Sequence, residues 1–116
     1  MTKAKDLRLN GSSEEAISAY NRALQIDAEN GTIWISKASE LQILGRDEES
    51  VRAYEKALSL LDEKLKTSPN DAEAWMRKGR ALSNLGRQDE SNQAYEKALE
   101  IFNQRVKIKL RAATPP

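Results

Sequence analysis

Apolar residues recur along this chain at spacings of three, four and seven, the mark of one face of an α-helix. Leu58, Leu61 and Leu65 keep that spacing in mid-chain, and Ile101, Phe102, Val106, Ile108 and Leu110 carry an apolar series toward the C-terminal end. Ala, Leu, Glu, Lys, Arg and Gln dominate between them, most of them good helix formers. Of five glycines and three prolines, all but Gly79 fall between helical stretches or at the chain end. Ser12 with Glu15, and Asn70 with Glu73, have the spacing of capping boxes. Asp47-Glu48-Glu49 and Asp89-Glu90 place negative charge where a helix N-terminus favours it. The pattern predicts helices at roughly 2–10, 13–27, 31–44, 47–67, 71–85 and 88–112.

The chain repeats itself. Leu44-Gly45-Arg46 returns as Leu85-Gly86-Arg87, and Ala53-Tyr54-Glu55-Lys56-Ala57-Leu58 returns as Ala94-Tyr95-Glu96-Lys97-Ala98-Leu99. A weaker copy, Ala19-Tyr20-Asn21-Arg22-Ala23-Leu24, lies upstream. Tyr20 to Tyr54 and Gly11 to Gly45 are 34 residues; Tyr54 to Tyr95, Gly45 to Gly86 and Trp34 to Trp75 are 41. The difference of seven is about two helical turns, so the segment after Leu58 lengthens a helix without rotating its apolar stripe.

A unit with Trp34, Ala38, Leu41, Gly45, Ser50, Tyr54 and Ala57, then Trp75, Gly79, Leu82, Gly86, Ser91, Tyr95 and Ala98, resembles the tetratricopeptide repeat. Ala4, Leu7, Gly11, Ala16, Tyr20 and Ala23 form an earlier copy that lacks the tryptophan. Lys3, Lys37 and Lys78 depart from the leucine frequent in the family, and Ala28 stands where a closing proline is usual. The resemblance implies an all-α fold of tandem helix-turn-helix repeats (an alpha-alpha superhelix) with about three units, the second helices of units two and three being elongated. It implies a single domain over 1–116: repeat one at 1–30, truncated at its start, repeat two at 31–70, repeat three at 71–112 and a tail at 113–116. Within a unit, Ala4, Ala38 and Gly79 let the partner helix approach, and Tyr20, Tyr54 and Tyr95 fill the space between. Gly11, Gly45 and Gly86 suit the left-handed turn that ends each first helix. The last helix is expected to pack part of its extension on that of the 47–67 helix and to leave the rest exposed.

Composition narrows the function. Nineteen basic and 18 acidic residues give a net charge of +1, which argues against bulk attraction to nucleic acid or an anionic membrane. There is no cysteine and no histidine, removing thiolate chemistry and the commonest metal ligand and general base. No phosphate loop, nucleophile elbow or metal-spaced ligand set occurs. The chain is read as no enzyme, with no cofactor and no metal, and as cytoplasmic.

The family resemblance implies a scaffold or adaptor that binds a partner peptide or helix in a concave groove lined by the first helices. Carried over position by position, the groove residues are Lys5, Arg8, Ile35, Ser36, Ser39, Ile43, Met76, Arg77, Arg80 and Asn84, with Leu9, Gln42 and Ser83 beside them. Guanidinium forks match carboxylates, so Arg77 and Arg80 suit an acidic or C-terminal peptide; the same charges also read as an ordinary solvated face. The carboxylate clamp of chaperone-binding members maps to Met1, Lys5, Ser36, Glu73 and Arg77. Only Arg77 fits, and the chain is not expected to be a chaperone adaptor of that type. Arg105, Lys107, Lys109 and Arg111 are read as helix C-terminal cations, without the aromatic interleaving of a nucleic-acid binder. An alternative of another class is a self-associating module, a homodimer through the terminal helices.

Overall fold

A computed structural model describes the backbone of residues 2–113 and side chains from 11 to 113. Its elements are α1 (Thr2–Ile26), α2 (Gly31–Ile43), α3 (Asp47–Thr67), α4 (Ala72–Asn84) and α5 (Gln88–Ala113), with no strand among the described residues. Two compact units divide the chain, Met1–Leu60 and Leu61–Pro116, and the boundary falls inside α3. The fold is all-α, built from helix–turn–helix repeats.

In the first unit α2 packs on α1 and is latched to α3. The Ser50 hydroxyl donates to the Ala38 carbonyl at 2.8 Å, a buried bond that satisfies the hydroxyl. Ala38, Leu41, Ala53, Tyr54 and Ala57 are buried around it. Asn30 begins α2 as its N-cap, its side chain accepting from the Ile33 N–H at 3.1 Å. The Trp34 indole N–H donates back to the Ala28 carbonyl at 3.0 Å and pins the approach.

The second unit repeats these devices. The Ser91 hydroxyl donates to the Gly79 carbonyl at 2.7 Å, and the Trp75 indole N–H donates to the Pro69 carbonyl at 2.9 Å. Asp71 is the N-cap of α4, accepting from the Ala74 N–H at 3.1 Å. Asn70 therefore does not cap α4, contrary to the capping-box expectation. Burial works against the charge of Asp71, but the Ala74 N–H and Lys64, 3.3 Å away, outweigh it and hold the carboxyl below its ordinary range.

Gly45 and Gly86 have φ of 76° and 80°. The N–H of Arg46 reaches the Leu41 carbonyl and that of Gly45 the Gln42 carbonyl. Arg87 and Gly86 do the same to Leu82 and Ser83, so both first helices end in Schellman motifs.

Gly11 forms no such turn. α1 runs unbroken from Thr2 to Ile26, so the expected pair of helices at 2–10 and 13–27 is one helix, and Ser12 does not cap. Ala16 stands where Ser50 and Ser91 stand and has no hydroxyl with which to latch a folded-back first helix. Nine residues are also too few for a helix without tertiary support. Continuing the helix keeps the backbone bonds around Gly11 for roughly 1 kcal/mol of glycine cost.

Candidate functional site: one face of α2 and one face of α4

Ser36, Ser39 and Ile43 follow one another at i, i+3 and i+7 on α2, and Arg77, Arg80 and Asn84 do so on α4. That spacing places each trio on one face of its helix. Ser36 and Ser39 are half-buried and Ile43 is exposed. On α4, Met76, Arg80 and Asn84 are exposed and Arg77 is half-buried. The Asn84 amide donates to the Arg80 carbonyl at 2.9 Å, fixing its own side chain along the helix.

Among the described residues neither Arg77 nor Arg80 forms an ion pair, whereas Lys78, between them, is held by Asp62 at 2.8 Å. Two guanidinium groups beside an exposed methionine can meet a carboxylate and an apolar side chain together. Glu73 is bonded to Arg105 at 3.4 Å.

Ile35 is a correction. It is buried, 2% exposed, three residues before the buried Ala38 and six before the buried Leu41, and belongs to the core rather than to a binding face. The side chains of Lys5, Arg8 and Leu9 lie outside the described residues, which leaves two candidate faces, one in each unit.

Sequence reasoning missed the role of Lys37 and Lys78, which depart from the family pattern. Their ammonium groups lie 5.1 and 5.2 Å from the ring centroids of Trp34 and Trp75, a cation–π geometry. The signal was available in the constant spacing of Trp and Lys in both copies. Each pair borders a depression between the two helices of its unit, lined by Leu41, Arg52 and Lys56 in one and by Leu82, Gln93 and Lys97 in the other. No group of acidic residues among those described is gathered as a metal site. No described helix is long and apolar enough to cross a membrane.

Comparison with known proteins agrees with this architecture. Residues 29–104 match a family model described as tetratricopeptide repeat, and residues 7–30 match a second model of the same description. A search of curated proteins returned no match. Among solved structures, a crystal structure of MamA protein is similar at 25% identity with a TM-score of 0.51, covering 90% of this chain and 52% of that one. Another MamA crystal structure matches at 24% identity with a TM-score of 0.50, over 83% of this chain and 52% of that one, and is evidence of fold alone. The chain thus spans about half the length of the solved structures it matches.

Proposed function

Because this chain belongs to the tetratricopeptide repeat family, we propose that it is a non-enzymatic protein-interaction scaffold that takes up an acidic partner peptide or helix. Arg77 and Arg80 on α4 receive the carboxylates beside the exposed Met76; Ser36, Ser39 and Ile43 on α2, with Lys5 and Arg8, are further positions that the family resemblance assigns to binding. The observation that carries the reading is the pair of guanidinium groups on one face, without ion-pair partners among the described residues and next to exposed Met76. Repeat scaffolds of this family bind through their helix faces rather than by catalysis, and their fold does not name the partner.

The test is a fluorescence-anisotropy titration against an array of peptides graded in acidity, with free and amidated C-termini, at two salt concentrations. The reading expects affinity to rise with acidity, to fall with salt and to be lost in Arg77→Glu/Arg80→Glu. Binding indifferent to that double substitution would contradict it. A second reading, a self-associating module, is favoured by a separate observation: Leu99, Val106, Ile108 and Leu110 are exposed on α5.

A further inference from the structure

Helix α5 carries an apolar stripe whose twin elsewhere in the chain is buried. Tyr54, Leu58, Leu61 and Leu65 of α3 are 2, 7, 4 and 8% exposed. The residues 41 positions later are Tyr95, Leu99, Phe102 and Val106. Tyr95 is 36%, Leu99 60% and Val106 54% exposed, and Phe102 is half-buried. Their spacing of four, three and four makes a seam of the heptad type on one side of α5.

In α3 the turns after Leu60 have a following helix. Asp62 binds Lys78 of α4 at 2.8 Å, and Lys64 binds Asp71 at 3.3 Å. On α5 the equivalents are Asn103 and Arg105, and Arg105 turns instead to Glu73 and the Asn70 carbonyl of its own repeat. Tyr95 lies over Gly79 of α4 on its inner side and Arg105 sits 5.5 Å from the Phe102 ring centroid, while Leu99 and Val106 stay open to solvent.

The charge of α5 is divided along its length. From Gln88 to Glu100 it carries Asp89, Glu90, Glu96 and Glu100 against Lys97 alone; from Ile101 to Ala113 it carries Arg105, Lys107, Lys109 and Arg111 and no acid. A parallel copy would set like halves together. An antiparallel copy sets each acidic half along a basic half, twice by symmetry, and places Leu99 of one copy against Phe102 of the other at the centre. Glu96 and Lys107 flank the seam on the same side, so an antiparallel pair brings Glu96 of one copy nearer to Lys107 of the other than to the other's Glu96.

We propose that the α5 seam is a homodimer interface: two copies of this chain pair antiparallel along Tyr95, Leu99, Phe102 and Val106, with their acidic and basic halves matched. This rests on the second reading above and gives it an orientation. It is a self-complementary arrangement of the closed two-fold kind, and it leaves the Arg77/Arg80 face of α4 outside the seam.

The experiment uses the full chain and exploits its lack of cysteine. Glu96→Cys and Lys107→Cys, both at exposed positions, are mixed and oxidised at dilute concentration. Antiparallel pairing predicts that the mixed 96–107 disulfide dominates; dominance of the 96–96 and 107–107 products would overturn it. Light scattering over a dilution series accompanies this, with Leu99→Asp as the control. The wild type is expected as a dimer and Leu99→Asp as a monomer of unchanged helical circular dichroism, its substitution being at an exposed site. A wild type that stays monomeric at the highest concentration reached overturns the proposal. Acidic-peptide binding measured on Leu99→Asp separates the two readings: retained binding with lost dimer leaves the scaffold reading standing alone.

Discussion

Helices α3 and α5 bear nearly the same sequence on the same face, yet Tyr54 is buried and Tyr95 is more than a third exposed. Identical residues at identical repeat positions therefore differ only in what lies against them. The end of α3 is tied by two ion pairs to α4, the helix that follows it, whereas α5 pairs back to α4 of its own repeat through Arg105 and Glu73. In a repeat array each unit stabilises itself by burying a face on a neighbour. An apolar stripe left exposed is a stability deficit and an adhesive surface at once.

The largest effect that would break this comparison lies in the tyrosines. Tyr54→Ala is expected to cost about 3–5 kcal/mol, as for a fully buried aromatic side chain, while Tyr95→Ala costs about 1–2 kcal/mol. Urea unfolding at protein concentrations where the chain is monomeric measures both. Equal losses would mean that the two stripes are not in different environments.

A smaller effect sharpens the contrast within each helix pair. A Cβ added at Gly79 would come within 3.0 Å of three ring carbons of Tyr95, while Ala38, its equivalent, holds its methyl in the core. Gly79→Ala gains roughly 1 kcal/mol of helix propensity and loses more by displacing the ring, for a net cost of about 1 kcal/mol. Made on top of Tyr95→Ala, the same substitution should stabilise. The sign change in a double-mutant cycle is the readout.

The smallest predicted effect compares the caps. Asp71→Ala and Asn30→Ala should each cost about 1 kcal/mol, but only the first should alter the dependence of stability on pH. The Asp71 carboxyl has a folded-state pKa below the ordinary 3.8. Its contribution is therefore complete above that value and is lost as pH falls through the lowered one. Asp71→Asn should flatten the acid limb of the stability curve measured between pH 5 and 2, and an unchanged limb would contradict the assignment.

Much of the repeat was legible because glycine, tryptophan and serine mark its joints. Gly45 and Gly86 take the left-handed conformation their position requires, and α3 has the bounds its pattern predicts. Gly11 misled, since a glycine signals a turn only where the chain has something to fold back against. The missing hydroxyl at Ala16 was the warning. The cap at Asp71 was hidden by an equally capable Asn70, although the spacing of 41 from Asn30 points to it. For the candidate site, the helical register of Arg77, Arg80 and Asn84 could be read directly. The burial of Ile35 could not, because local spacing does not reveal which neighbours close over a side chain.

The most direct test of the central claim is backbone hydrogen–deuterium exchange, followed on α3 and α5 at low and at high protein concentration. Amides at 61–65 should be slow at both concentrations, since their stripe is already covered. Amides at 102–106 should exchange faster on dilution and slow markedly as the concentration rises. Protection of 102–106 that equals that of 61–65 in dilute solution, or that ignores concentration, would contradict the account.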